Sequence, residues 1–264
     1  MKKKNTFIAM CASLALFLGA CGGGGSEDQS SSGSSSEDKV LEMGTSADFA
    51  PFESRNPQGD FIGFDIDLAN HIADELGYEL KINDMKFDGL IGALQNNRVD
   101  MVLSGMSATE ERKKNVDFSI EYNHSGEIFI TKKDSPIKSL EDLEGKTLGV
   151  QLGSIQEEGA NQIKTDEGIN FEIKALDESG ALIQELLSNR VDAVYMDKAA
   201  GLGYTEAQDL AHFDDPTTSS PGMAVAFPKG SELVDDVNKV LEEAEASGKL
   251  QELKDKWLSE ELTD

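Results

Sequence analysis

The segment Asn97-Arg98-Val99-Asp100-Met101-Val102 returns ninety-two residues later as Asn189-Arg190-Val191-Asp192-Ala193-Val194. Apolar residues at helical spacing precede both copies: Leu90, Ile91 and Leu94 in the first, Leu182, Ile183, Leu186 and Leu187 in the second. After each copy a short apolar strand stops at polar residues, the first at Ser104-Gly105-Met106-Ser107 and the second at Met196-Asp197. Two helix–turn–strand units of one design predict two α/β lobes around a shared site. Ligands of open α/β sheets sit at the carboxyl ends of strands, where these polar groups lie. Asp100 and Asp192 stand at the opposite ends, so the repeat itself is expected to bind nothing.

The rest of the chain extends the pattern. A strand at Val40–Met43 leads through a loop, with a turn at Pro57-Gln58-Gly59, to a helix with Ile66, Ala69, Ile72, Ala73 and Leu76 on one stripe. Strands follow at Glu79–Ile82 and Met101–Leu103. Ser107-Ala108-Thr109-Glu110 reads as a capping box that starts a short helix just after Ser107. A second series places a helix at Leu140–Leu143, a strand at Thr147–Val150, a helix after Ser154, a strand at Phe171–Ile173, a helix at Ala181–Ser188 and a strand at Ala193–Met196. Strands alternating with helices predict a mainly parallel sheet. Two extended stretches, Phe118–Lys132 and Met223–Phe227, are where the chain would cross between lobes. Helices carrying Leu233, Val237, Val240, Leu241, Leu250, Leu253 and Trp257 close the pattern.

Residues 1–20 read as a signal segment: Lys2, Lys3 and Lys4 precede the apolar run Phe7–Ala20, which is short for a membrane span. Leu18-Gly19-Ala20-Cys21 resembles the lipobox of bacterial lipoproteins, which implies cleavage before Cys21 and lipidation of its sulfur. Two or more acyl chains anchor a protein stably where one does not. The other cysteine, Cys11, lies in the segment to be removed, so no disulfide is expected. Residues 21–38 form a Gly/Ser-rich tether whose stretch Gly22–Asp38 has no apolar residue, with a reach of roughly 20–25 Å. Expected boundaries are 39–124 plus 222–264 for the first lobe and 125–221 for the second. After loss of the first twenty residues, 21 basic face 50 acidic residues, a formal charge of −29. Such a charge repels nucleic acid and disfavours adsorption to anionic lipid.

Gly63-Phe64-Asp65-Ile66-Asp67-Leu68-Ala69 resembles the signature of the extracellular solute-binding proteins of ABC importers for polar amino acids. The similarity runs through Ala50-Pro51-Phe52-Glu53, Ser107-x-Thr109-x-Glu111-Arg112, Asp117-Phe118-Ser119, Gly145-Lys146-x-Leu148-Gly149-Val150, Ala226-Phe227-Pro228-Lys229-Gly230 and the closing Gly248-Lys249-Leu250 and Lys256-Trp257. It implies two α/β lobes on two hinge strands (the periplasmic-binding-protein type II fold), closing on one amino acid. It also implies a permease and ATPase as partners and the extracytoplasmic face of the cell membrane as location.

An L-amino acid is a zwitterion, so its site needs a cationic grip for the carboxylate and an anion for the ammonium. Arg112 suits the first task, because a guanidinium holds both carboxylate oxygens in one plane. The plainer alternative is a solvated helix arginine beside Lys113 and Lys114. Gly153-Ser154 opens a helix after a strand, and the resemblance implies that the N–H groups of Ser154 and Ile155 face the same carboxylate. Asp197 resembles the family residue that binds the α-ammonium, with the Gly105 carbonyl and Ser107 hydroxyl completing the shell beside Ser104. A cap on the following helix is its plainer role. Phe49 and Phe87 match the aromatic walls around the ligand side chain, suited to a planar or cationic group.

Specificity would rest on Ser46, Asp48, Gln151 and either Gln156 or Glu157. Several relatives that bind glutamine or basic amino acids carry aspartate where this chain has Ser46. The loop Gln151–Glu158 looks similar to arginine-type binders, so arginine is the first expectation and glutamine or another polar amino acid the second.

The rival readings are an enzyme on the same scaffold, of the cyclohexadienyl or arogenate dehydratase type, and a sensor-type ligand domain. A prephenate-like dicarboxylate calls for a second cation, and the motif positions hold none. Asp65, Asp67 and His71 are read as acids at a helix N-terminus and a surface histidine rather than a metal cluster. No metal, cofactor or nucleic acid is expected, and the protein is expected to act as a monomer.

Overall fold

The two copies of the repeat occupy equivalent places in two five-stranded sheets. The fold is seen in a computed structural model that describes residues 39–217 and 220–258; the predicted signal segment, Cys21 and the tether lie outside the described residues. The chain begins with β1 (Lys39–Thr45), the hairpin β2 (Ser54–Arg55) and β3 (Phe61–Ile62), then α1 (Phe64–Leu76) and β4 (Tyr78–Asp84). Next come α2 (Leu90–Gln95), β5 (Met101–Val102), the single-turn α3 (Glu110–Lys113) and β6 (Asp117–Asn123). The second series is β7 (Glu127–Lys132), β8 (Thr147–Gln151), α4 (Ile155–Asp166), β9 (Glu172–Leu176), α5 (Ser179–Leu187), β10 (Ala193–Asp197), α6 (Lys198–Gln208) and β11 (Leu210–Asp214). β12 (Met223–Phe227), α7 (Leu233–Ser247) and α8 (Lys249–Trp257) complete it.

The first sheet has the order β4-β1-β5-β12-β6 and the second β11-β7-β10-β8-β9. In each, a central strand pairs in parallel with two neighbours: β1 with β4 and β5, β8 with β9 and β10. An antiparallel strand then packs beside the repeat strand, β12 against β5 and β7 against β10. The chain enters the second sheet between β6 and β7 and returns between β11 and β12, within the two extended stretches of the sequence.

The repeat is the device that sets this register. Asn97 and Asn189 adopt left-handed φ values of 50° and 58° and terminate α2 and α5, a conformation asparagine tolerates better than most residues. Asp100 then exchanges two bonds with the middle of β1: its carboxylate accepts from Glu42 N at 2.8 Å and its N–H donates to Glu42 O at 2.7 Å. Asp192 does the same with Thr147 at the start of β8, at 2.9 and 2.8 Å.

Alternation along the strands buries both faces of each sheet, as parallel sheets require. In β10, Ala193 and Tyr195 join Phe129, Leu148 and Ile163 on one side, while Val194 and Met196 join Ile128, Leu182 and Leu186 on the other. In the first lobe α1, α7 and α8 cover Leu41, Met43 and Phe227, and α2 covers Val102 and Ala226.

Three sequence expectations are corrected. Thr109 rather than Ser107 caps α3, its hydroxyl accepting from Arg112 N at 3.2 Å, because Ser107 is drawn into a β-bridge with Met223. The helix expected at Leu140–Leu143 is only a 3-10 turn, Glu141–Leu143, too short to repay helix nucleation. β11 went unforeseen: its sequence has no β-branched residue, and it is held by pairing with β7 and by Phe213 stacking on Phe129 at 5.0 Å.

Candidate functional site

The polar ends of β1, β5, β8 and β10 converge on a cleft between the sheets. A cavity lies there, between the sheets, where ligand sites of α/β folds commonly form. Ser46, Phe49, Phe87, Ser104, Gly105, Ser107 and Arg112 line it from the first lobe; Gln151, Ser154, Ile155 and Asp197 line it from the second. These eleven sequence-derived candidates therefore meet at one place.

Arg112 is 8% exposed, held above the Phe87 ring at 5.4 Å. Its Nη1 donates to Ser107 O at 2.9 Å and its Nη2 reaches across the cleft to Gly153 O at 3.1 Å. A guanidinium has five N–H donors, so further donors remain for a carboxylate. Burial lowers its pKa to about 10, which leaves it charged at neutral pH. Asp197 ends β10 and also caps α6, accepting from Ala200 N at 3.2 Å. Burial raises its pKa to about 6, opposed by bonds from Ser125 and the Ala199 and Ala200 N–H groups. The functional and the capping readings of Asp197 are compatible in one geometry. Ser154 caps α4, accepting from Glu157 N at 3.2 Å. Its own N–H makes a long bond of 3.3 Å to Gln151 O, so it is turned into the loop more than the resemblance implied.

Phe49 stacks on Phe52 at 5.7 Å, and its ring lies against Gly105. A Cβ on Gly105 would stand 3.1 Å from that ring, at a backbone φ of +52°, so glycine is required both for space and for conformation.

Asp48 and Glu157 do not line the cavity. The Asp48 carboxylate accepts from the Ser46 hydroxyl at 3.0 Å and, across the cleft, from Ser179 N at 2.6 Å. It is an interlobe latch, supported by the ion pair of Lys86 with Asp177. Glu157 accepts from Gly153 N at 2.7 Å and braces its own loop.

The sequence reading left out Glu53, Ser125, Glu127, Ser220, Pro221 and Met223, which also line the cavity; Gln156, named there as an option, lines it too. Glu53 is 1% exposed, accepts from Ser104 Oγ at 2.9 Å and faces Asp65. Burial and the Asp65 charge push its pKa well above the usual carboxylate range. Asp65 itself is fully buried, and desolvation lifts its pKa to about 6. It accepts from Gly105 N at 2.7 Å and Tyr122 OH at 2.8 Å. This corrects its reading as a simple helix-N-terminal acid: it fixes the turn that presents Gly105. Asp67 accepts from Trp257 Nε1 at 2.7 Å and Lys256 Nζ at 2.6 Å, docking α8. Acids flanked by apolar residues, as in Pro51-Phe52-Glu53 and Glu127-Ile128-Phe129, were the signal available in sequence. Ser220-Pro221 carried none.

Among the described residues no group of three or more His, Cys, Asp or Glu is placed to hold a metal ion, and no helix is long and apolar enough to cross a membrane.

Residues 41–260 match the family model of bacterial extracellular solute-binding proteins, family 3. The arginine-binding extracellular protein ArtP of Bacillus subtilis (strain 168) is 44% identical over 263 residues, covering 98% of this chain and 99% of that one. An ancestral arginine-binding protein bound to arginine superposes with a TM-score of 0.78 at 41% identity, covering 83% of this chain and 98% of that chain. The ancestral amino acid-binding protein AncCDT-1, a precursor of cyclohexadienyl dehydratase, superposes with a TM-score of 0.77 at 35% identity, over 83% of this chain and 96% of that chain.

Proposed function

The chain belongs to the bacterial extracellular solute-binding proteins of family 3, and from that premise we propose that it captures a polar L-amino acid, arginine first, and delivers it to an ABC permease. One observation carries this reading: Arg112 and Asp197, both buried and of opposite charge, face one cavity from opposite lobes, beside the rings of Phe49 and Phe87. A zwitterion bridging them gains charge-assisted bonds of about 1.5–3 kcal/mol each, and only with the lobes together. Glu53 and Glu127 add carboxyl groups to the wall, further hydrogen-bonding partners for a polar ligand. Relatives described as arginine binders support the same choice.

Closure is the signal a permease would read. Cys21 would carry the lipid anchor, with the Gly22–Asp38 tether holding the lobes beside the membrane. A dehydratase has less support: its dicarboxylate substrate needs a second cation, and among the described residues lining the cavity Arg112 is the one cationic side chain.

A thermal-shift screen of the twenty L-amino acids tests the reading. Ligand at a thousandfold excess over Kd stabilises by about 4 kcal/mol, which for a domain of this size is roughly 8–16 °C. Arginine is expected to give the largest shift; a flat response to all twenty would overturn the function, and glutamine in first place would overturn the ligand.

A second expectation concerns closure. Gly153 has φ +75°, and a Cβ there would lie 3.1 Å from Asp88 Cβ in the opposite lobe. Gly153→Val is expected to prop the lobes apart and weaken L-arginine binding at least about tenfold, the cost of roughly 1.4 kcal/mol of lost interlobe contact. Titration calorimetry with far-UV circular dichroism checks it; wild-type affinity in a folded variant would show that the cleft closes differently.

A further inference from the structure

Glu127 opens β7 and is the direct cross-strand partner of Asp197, which ends β10. Directly opposed residues of an antiparallel pair project from the same face within about 5.5 Å, and like charges in that position repel. Both side chains line the ligand cavity, and Glu127 is 6% exposed. The neutral acid resolves the conflict. Its carboxyl bonds the Gln156 amide on one oxygen and the Ser220 hydroxyl on the other, and a Ser hydroxyl accepts as readily as it donates.

Resting on the function proposed above, we propose that Glu127 forms the ammonium subsite together with Asp197 and gives up its proton when the ligand's ammonium docks, so that amino-acid capture releases a proton. The O–H bond of the Glu127 carboxyl breaks and the proton leaves to solvent buffer; no other bond changes. The incoming cation supplies the charge that makes two adjacent carboxylates tolerable.

The surroundings agree. Burial first, and then the Asp197 charge, raise the pKa of Glu127 to about 8. Asp215, whose N–H donates to Glu127 O at 2.9 Å, adds to the negative field, and its side chain bonds Tyr195 OH. Lys198, at the start of α6, is paired with Asp214 at 3.1 Å. From the other lobe Arg112 is turned to the Ser107 and Gly153 carbonyls, and His124 pairs with Glu121 at 2.9 Å. A second cavity of about 140 Å³ shares Glu127 and Ser220 as wall and is lined by Glu158 and Gln162, both exposed; it gives the proton a way out. Glu53 is a different case, because the carboxylate it faces, Asp65, lies inside the first lobe.

The test is titration calorimetry of the protein with L-arginine near pH 7, in buffers of different ionisation enthalpy such as phosphate and Tris. Wild type is expected to release close to one proton per arginine bound, and its affinity to rise by up to about tenfold per pH unit on the acid side of the Glu127 titration. Glu127→Gln keeps the shape and the bonds to Gln156 and Ser220, and is expected to bind with almost no proton release and a flattened pH profile. Binding heats in wild type that do not depend on the buffer would overturn the proposal, as would a Glu127→Gln variant that releases as many protons as wild type. Absence of arginine binding in wild type would overturn the function on which the inference rests, and the inference with it.

Discussion

Asp197→Asn is expected to weaken L-arginine binding by roughly a thousandfold while the fold persists. Removing one partner of a buried, hydrogen-bonded charge pair costs about 2–5 kcal/mol, and about 1.4 kcal/mol corresponds to tenfold in Kd. Asparagine is as good an N-cap as aspartate, so the bond to Ala200 N that starts α6 survives. Asp197→Ala removes the charge and the cap together and is the less clean variant. Titration calorimetry beside a melting curve of the free protein separates binding from folding. Affinity within tenfold of wild type would mean that the ammonium docks elsewhere, with Glu127 the nearest carboxylate on the neighbouring strand.

Asp65→Ala is expected to lower the stability of the free protein by about 3 kcal/mol, or roughly 6–12 °C in Tm. The loss leaves the Gly105 N–H and the Tyr122 hydroxyl without their buried acceptor. Each buried donor so abandoned costs about 1–3 kcal/mol. Gly105 would lose its anchor as well, and the Phe49 wall that rests on it would move, so arginine affinity should fall with stability. Urea unfolding of wild type and variant measures the effect. Unchanged stability would mean that water or another side chain replaces the carboxylate.

Much of the site was legible because strand ends are. The repeat marks where β5 and β10 start, and a strand of known direction delivers whatever follows it to the cleft: Ser104, Gly105 and Ser107 from one, Asp197 from the other. Arg112 could be placed because the turn after β5 is short. Misreadings came where long-range contacts outweighed local preference. Ser107 loses its cap to a bridge with Met223, 116 residues away in sequence. Asp48 has the composition of a solvated loop residue, yet it latches onto Ser179 in the other lobe. Asp65 fits a rule for helix N-termini, yet it is wholly buried and organises Gly105 and Tyr122.

The sequence by itself determined two α/β lobes of one design and a pair of opposite charges, Arg112 and Asp197, at the cleft. Those follow from periodicity, from the chemistry of single residues and from the family resemblance of the motifs. Only the tertiary structure decided which carboxyl groups face each other. Glu53 meets Asp65, and Glu127 stands opposite Asp197, through the loop fold at Phe49–Glu53 and the register of β7 on β10. A shift of that register by one residue would turn Glu127 to the other face of the sheet. The ionisation of a buried acid depends on desolvation and on neighbours brought close by pairing, neither of which is a property of the residue alone.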